Sequence, residues 1–295
     1  MIDFTNEFAG VSPAFDPADP CDGIYYDVPN EVYHSAVSAI SNSMLAMINR
    51  SVSAYQWMQG APVNKDKLKA FELGTALHAA VLEPKRFRDE YVLMPPFNMR
   101  TNKGKQDSLD FAKANSDRFI ISDSDARHIQ LMRDSIMADP RLSLWLSMDG
   151  KPEAVVVVTD KVTGLKLRIR CDWLVDAGDV VVCLDLKSTD SMDKFRRDFF
   201  DLRYDVQDAF YTNVLEQHFG KPVLFLFGVV SKSVDCGRYP VACERLDDAD
   251  RAIANEIYRA DLNKLSNAIE SNDWVEYTSM RRTERQREYM YEQLK

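Results

Sequence analysis

A chain of 295 residues, 45% hydrophobic and 28% charged, is long enough for one large domain with its own core, which excludes a small disulfide scaffold and wholesale disorder. Thirty-seven Lys and Arg against 46 Asp and Glu leave a net charge of −9, which read naively argues against a nucleic-acid partner. The charge is unevenly spread: Asp3, Glu7, Asp16, Asp19, Asp22, Asp27 and Glu31 have no Lys or Arg among them, which leaves 39 acids and 37 bases in residues 32–295, a net of −2.

Residues 1–36, rich in Pro and Asp, read as an acidic extended arm. A single domain over 37–275 follows, with its core at about 68–245, and a polar, charged tail occupies 276–295. The start lacks a basic segment followed by an apolar run, so no signal peptide is expected. No stretch approaches the ~20 apolar residues of a membrane span, and a cytoplasmic protein is expected. Ser41 is placed to cap a short helix over Asn42–Asn49, and a second short helix follows Ser53. Residues 68–82 put Leu73, Leu77 and Val81 on one helical stripe, and Pro84 ends that helix. Residues 84–106, with Pro95–Pro96 and the basic Arg100, Lys103 and Lys105, read as a long exposed loop of the kind that carries function. A helix over 122–138 is capped by Ser122 or Ser124.

The pattern then turns to strands. Ala154–Val158, Leu165–Ile169 and Val180–Leu184 are joined by turns at Asp160–Gly164 and Asp176–Asp179. A helix over about 205–219 carries Val206, Phe210, Val214 and Phe219 near the helical period. Val223–Val230 is a further buried strand, Tyr239–Cys243 a short one, and 247–271 an amphipathic helix. Meandering strands followed by a crossover helix predict an α/β or α+β fold, with a central mixed sheet flanked by helices and the N-terminal helices as an annex. The five cysteines are odd in number and lack CxxC spacing, so they read as buried thiols of a cytosolic protein, and no iron–sulfur cluster is expected.

The chemistry centres on Asp185-Leu186-Lys187, which closes a continuous apolar strand. Residues i and i+2 of a strand share a face, so Asp185 and Lys187 converge while Leu186 faces the core. Taken alone, the pair also reads as a salt-bridged strand end. Asp172, on the preceding strand and flanked by hydrophobic residues, is costly unless paired or bound to a metal. Beside Asp185 it makes two carboxylates that suit a divalent cation, and oxygen ligands favour Mg²⁺ or Mn²⁺ over zinc. Lys187 would then orient or deprotonate a water, or stabilise charge developing on phosphorus. Glu153 opens the first strand, either as a further carboxylate or as a solvent-facing acid. His78 lies mid-helix after Gly74, Thr75 and Ala76, small residues that permit close approach to a sheet. Gln207 and Tyr211 share a helix face and, with Tyr204, form a polar edge able to meet a phosphate or a base. Arg168 and Arg170 share the face of Asp172, and Arg196, Arg197 and Arg203 follow the Asp185 strand. With Arg100, Lys103 and Lys105 they let a near-neutral body present local positive charge to phosphates.

Asp172 followed by Asp185-x-Lys187 after a hydrophobic strand resembles the PD-(D/E)xK nuclease core. GTALHAAVLEP (Gly74–Pro84) is similar to the first motif of the RecB-type branch, and QDAFY (Gln207–Tyr211) to its Gln–Tyr motif. YYDVPNEVYHSAVSAISNSML (Tyr25–Leu45) is similar to the lead-in of the RecE, or exonuclease VIII, family. The resemblance covers roughly residues 24–230. It implies a restriction-endonuclease-like core and a Mg²⁺-dependent exodeoxyribonuclease, with Mn²⁺ able to substitute. Such an enzyme degrades one strand of linear double-stranded DNA from a 5′ end. It also implies a homo-oligomeric ring and a RecT-like strand-annealing partner in recombination or phage DNA metabolism, with no nucleotide cofactor. On that pattern His78, Asp172, Asp185 and the Leu186 carbonyl hold the metal, and Glu153 is a further catalytic carboxylate. Lys187 is the catalytic lysine, and Gln207 and Tyr211 support the site or touch DNA. A structure-selective endonuclease on the same fold, and a nuclease-like module that binds DNA or a partner without catalysis, are the competing readings. Residues 245–295 match no family pattern, and the acidic arm has no evident nuclease purpose.

Overall fold

The fold is seen in a computed structural model that describes residues 14–62, 73–275 and 282–294. Three parts of the expectations lie outside the described residues: the start of the acidic arm, positions 68–72 of the expected helix, and 276–281 of the tail.

The second half of the acidic segment supplies β1 (Gly23–Tyr25) and α1 (Asn30–Ser35), and α2 (Asn42–Arg50) and α3 (Val52–Gly60) follow. Ser41 precedes α2, but its hydroxyl pairs with Ser43 Oγ at 3.0 Å rather than with the helix backbone. The cap of α3 is Ser51, whose Oγ accepts the Ala54 N–H at 3.1 Å, two residues ahead of the expected Ser53.

The next stretch overturns the expected loop over 84–106. It contains α4 (Leu73–Leu82), α5 (Pro84–Glu90), β2 (Tyr91–Leu93) and α6 (Asn102–Ala114), with β3 (Phe119–Ile121) beyond. Pro84 does stop α4, but it stands in the first turn of α5, where its missing N–H leaves no bond unmade. Tyr91–Leu93 pairs in parallel with Phe119–Ile121, and Thr101 caps α6 by accepting the Gly104 N–H at 3.0 Å. Only residues 94–101 stay irregular.

The remaining elements follow the predicted order, with three helices added that the sequence reading did not place, Pro140–Leu146, Met192–Asp198 and Glu284–Gln293. They are α7 (Asp123–Ala138), α8 (Pro140–Leu146), β4 (Lys151–Thr159), β5 (Lys166–Asp176), β6 (Val181–Thr189), α9 (Met192–Asp198), α10 (Tyr204–Phe219), β7 (Val223–Ser231), β8 (Val241–Glu244), α11 (Asp248–Ser271) and α12 (Glu284–Gln293). Ser122 caps α7 through the Asp125 N–H at 3.1 Å. The β4–β5 turn closes on Asp160, whose carboxylate accepts the N–H of Thr163 at 2.8 Å, and Gly164 takes the left-handed φ of 71° that the turn needs.

The strands form a six-stranded sheet in the order β1-β4-β5-β6-β7-β8. Every pairing is antiparallel except β6–β7, whose parallel strands are joined through α9 and α10. On one face Leu45 and Ile48 of α2, Phe210 and Val214 of α10 and Tyr258 and Leu262 of α11 cover Val156, Ile169 and Phe225. On the other, Leu77 of α4, Met132 and Ile136 of α7 and Leu142 of α8 cover Val182, Leu184 and Leu226. Each such side chain contributes about 1.5–3 kcal/mol by leaving water. This mixed sheet between helical layers is the architecture expected from the sequence.

The acidic segment is tied to the sheet edge. β1 pairs antiparallel with β4, Asp22 accepts the Thr159 N–H at 2.9 Å, and Asp19 forms an ion pair with Lys166. Among the described residues no helix is long and apolar enough to cross a membrane.

The site is positioned by a parting of strands. β5 and β6 pair from Asp176–Val181 as far as Trp173–Leu184. Beyond that point β6 continues beside β7 to Thr189, while β5 is flanked by Ile40, which accepts the Arg168 N–H at 2.8 Å.

Candidate active site

The registers of three adjacent strands bring three acids level. Pro152 pairs with Trp173 and Ala154 with Cys171, so Glu153 on β4 faces Asp172 on β5. Trp173 pairs with Leu184, so one position further Asp172 faces Asp185 on β6. Glu153 adopts a left-handed φ of 50°, a strain of about 1–2 kcal/mol for a residue with a Cβ, and the ladder is interrupted there.

Where β5 and β6 part, the Leu186 N–H would lose its partner across the sheet; Asp172 Oδ2 accepts it at 2.8 Å. His78 of α4 brings Nδ1 to 3.5 Å from the same oxygen. The helix can come this close because Gly74 has no side chain: a Cβ there would lie 3.2 Å from Ser188 Oγ. Asp185 sits deeper and is buried. Its Oδ1 accepts Gln207 Nε2 at 2.6 Å, and its Oδ2 is 2.7 Å from Lys187 Nζ. Tyr211, one turn beyond Gln207 on α10, donates its hydroxyl to the Arg170 carbonyl at 3.3 Å. Gln207 and Tyr211 are both buried and bond to the strands of the site, so they brace it from beneath.

The electrostatics follow from this crowding. Burial, then the nearby Asp185 charge, pushes Asp172 up to about 7. Burial, then Asp172, likewise pushes Glu153 up to about 7. Burial alone would lower Lys187, but Asp185 and Asp172 hold it above its ordinary value, so it is an ammonium at neutral pH. For His78 burial, with Lys187 adding to it, outweighs Asp185, Glu153 and a hydrogen bond to the Leu186 backbone, and the ring stays neutral. A neutral imidazole is the form that ligates metals.

His78, Glu153 and Asp172 each offer a ligand atom, all within 4.8 Å of one another. Two carboxylates reluctant to ionise beside a neutral imidazole fit a divalent cation, which would restore their charge. Asp185 is not one of these three: its Oδ1 accepts Gln207 Nε2 and its Oδ2 lies 2.7 Å from Lys187 Nζ. The trio opens into a cleft of about 640 Å³ bounded by α1, α4 and α5.

The expected cations do not all reach this cleft. Arg170 does: its Nε is 2.9 Å from Glu153 Oε2, and another nitrogen donates to Asn30 Oδ1 at 2.9 Å. Arg168 does not, which corrects its expected DNA contact. It is 2% exposed, donates Nε to the Ala39 carbonyl at 2.9 Å, and lies 4.3 Å from the Tyr33 ring centroid, sealed beneath α1. Arg196 and Arg197, on α9 outside the cleft, pair with Glu244 at 2.7 Å and Asp198 at 3.0 Å. Arg100, Lys103 and Lys105 are exposed around the start of α6, also outside the cleft, with no ion pair among the described residues. The sequence reading missed Asn30 and the Arg86 that binds Glu83 and Glu90 at the cleft wall, each at 2.7 Å. The i, i+3 and i+4 spacing of those charges was a signal, hidden by reading their helix as a loop.

A family model described as a PDDEXK-like domain of unknown function (DUF3799) matches residues 41–278. A crystal structure from Eubacterium rectale, described as a "Putative exonuclease", is similar over 86% of this chain and 96% of its own, with 12% identity and a TM-score of 0.51. At that identity the likeness shows the fold. The crystal structure of SSO0001 covers 75% of this chain and 84% of its own at 12% identity, and its TM-score of 0.28 carries no argument. No curated protein matches the sequence significantly.

Proposed function

This chain belongs to the PDDEXK-like family DUF3799, a nuclease fold, and from that premise we propose that it is a divalent-metal-dependent exodeoxyribonuclease. Its substrate on this reading is linear double-stranded DNA, resected from a 5′ end, with Mg²⁺ as the metal and Mn²⁺ as a substitute. The observation that carries the reading is the convergence of His78, Glu153 and Asp172 at one cleft, with Asp185 level with Asp172 on the next strand and Lys187 Nζ 2.7 Å from Asp185 Oδ2.

His78, Glu153 and Asp172 would hold the cation, with Asp185 and the Leu186 carbonyl beside them. Bound there, it supplies Lewis acidity toward the phosphate and a water of lowered pKa. The Lys187 ammonium would orient an attacking water and steady negative charge on the phosphoryl oxygens. Arg170 holds Glu153 in place and offers its charge to a phosphate lying along the cleft. Gln207 keeps Asp185 oriented from beneath. Hydrolysis adds water across the phosphodiester, breaks the bond from phosphorus to the 3′ oxygen, and leaves a 5′-phosphate and a 3′-hydroxyl. Arg100, Lys103 and Lys105 would grip the duplex backbone, and reversing their charge lowers the salt slope of binding by ~0.9 for each phosphate no longer neutralised. A homo-oligomeric ring, a RecT-like strand-annealing partner and action in the cytoplasm belong to the same proposal. Light scattering that finds only a 33.8 kDa species removes the ring.

The test is digestion of matched linear and closed circular duplexes with Mg²⁺ or Mn²⁺. The expected result is loss of the linear form, survival of the circle, and early release of 5′-terminal nucleotides. Cutting of the circle makes the protein an endonuclease, and binding without cutting makes it a DNA-binding module.

A further inference from the structure

Resting on the nuclease reading above, we propose that Tyr204 is a positioning residue for Lys187, its ring face holding the ammonium in place beside Asp185. Lys187 Nζ lies 4.9 Å from the centroid of the Tyr204 ring, within the range where the negative face of an aromatic ring attracts a cation. The ammonium is thus held on two sides, by Asp185 Oδ2 at 2.7 Å and by the ring.

The ring is itself fixed. It stacks on Phe195 with centroids 5.7 Å apart and planes at 26°, meets Phe199 edge-on at 5.8 Å, and lies tilted against Phe227 at 5.9 Å. Phe195 and Phe227 are buried, so this wall does not move with solvent. The backbone pins it too. Arg203 adopts a left-handed φ of 58°, which turns the chain into α10 and makes Tyr204 its first residue, and the Tyr204 N–H donates to the Phe199 carbonyl at 3.1 Å. The strain at Arg203 is offset by an ion pair of 2.5 Å with buried Asp261.

Spacing supports a shared purpose. Tyr204 and Gln207 are i and i+3 on α10 and so share a face, and Asp185 and Lys187 are i and i+2 on β6 and share another. One helical turn therefore addresses both groups: Gln207 takes the aspartate and Tyr204 the lysine. The Tyr204 hydroxyl makes no hydrogen bond among the described residues, so the ring and not the oxygen carries the role. A long ammonium side chain has several rotatable bonds. A ring beside the ammonium restricts them, which matters when the group must meet a reacting phosphate at a defined place.

Single-turnover digestion of linear duplex DNA and lysine-selective NMR of the metal-free chain test this together. Tyr204→Phe should keep the rate constant within about twofold. Tyr204→Leu should lower kcat by about 10-fold, with KM and melting temperature little changed. In a Lys187→Ala background, Tyr204→Leu should change the residual rate no further. The Lys187 ε-methylene signal should be displaced upfield by the ring in the wild type and in Tyr204→Phe, and return to the ordinary lysine position in Tyr204→Leu. The proposal is overturned if Tyr204→Leu leaves kcat intact, if it slows the Lys187→Ala protein as much as the wild type, or if the lysine signal does not respond. A wild type that cuts no DNA under any metal sinks the nuclease reading instead, and the NMR arm then still decides whether the ring holds the lysine.

Discussion

Asp160, buried behind the sheet, and the carboxylates of the cleft lie under opposite electrostatic pressures. Behind the sheet, Asp160 is 1% exposed and accepts hydrogen bonds from Arg259 of α11 and from the N–H and hydroxyl of Thr163. Burial pushes it up, yet these donors outweigh burial and hold it below its ordinary value. Asp261 accepts hydrogen bonds from Arg203 and from Asn49 Nδ2, the latter at 2.9 Å. Asp208 departs from the pattern: it is wholly sealed, and burial keeps it raised even with Arg251 across both oxygens. In the cleft burial, then the Asp185 charge, pushes Asp172 up to about 7, and one backbone N–H with a His78 nitrogen at 3.5 Å does not outweigh it. Whether donors outweigh burial and like charges separates a carboxylate held ionised from one that would accept a cation.

Mutations that separate the two groups would sharpen or break that contrast. The largest effect should come from Asp185→Asn, which keeps a partner for Gln207 but removes the charge: cleavage of linear duplex falls by roughly 10³-fold. Its thermal midpoint should stay within about 3 °C of wild type, and an early-melting variant would move Asp185 into the structural group. Asp160→Ala should do the reverse. It leaves the Arg259 guanidinium without its carboxylate and lowers the unfolding free energy in urea by about 2–3 kcal/mol, with unchanged activity per folded molecule.

Titration gives a smaller effect with opposite signs in the two regions. The stability that Asp160 contributes is present above its unfolded value of 3.8 and fades as pH falls through its lower folded value. The gap in urea midpoint between wild type and Asp160→Asn should therefore be full at pH 7 and close below about pH 4. Asp172 and Glu153 instead bind protons in the folded chain between their ordinary values and about 7. The metal-free protein should lose stability from about pH 4 to about pH 7, Asp172→Asn should flatten that slope, and Mg²⁺ or Mn²⁺ at about pH 8 should recover it. Melting curves in chelator check this, and a flat profile in the wild type breaks the comparison. The smallest effect belongs to the edge of the sheet, where Lys166→Ala removes the exposed ion pair to Asp19 and should change stability by about 0.5 kcal/mol at most.

Much of the architecture was legible because its signals are local. Val181–Leu184 and Val223–Val230 are continuous apolar runs because β6 and β7 are covered on both faces. The turn at Asp160–Gly164 carries its own carboxylate acceptor and its own glycine. The region over 84–106 was not legible in this way: Pro84 masks a helix that it starts, and Tyr91–Leu93 becomes a strand only by pairing with Phe119–Ile121. The site divides similarly. Convergence of Asp185 and Lys187 follows from the two-residue strand period alone. The meeting of Asp172 with Asp185 and Glu153 needs the registers of three strands and a left-handed backbone at Glu153, which no local pattern encodes.

Arg168 and Arg170 show where the limit lies. The strand period gives both the face of Asp172, and nothing in the residues themselves tells them apart. The Tyr33 ring on α1 lies against both guanidiniums, but Arg168 is sealed in and bonds the Ala39 carbonyl, while Arg170 reaches Glu153 and the cleft. By itself the sequence determined where the core strands and turns fall and which residues share a face, because each follows from neighbours a few positions away. Tertiary structure alone decided the level pairing of the three acids, the parting of β5 from β6 and the layer that covers one arginine and spares the next. Those depend on packing between segments far apart in the chain, where burial and partner supply are set by whatever arrives from elsewhere.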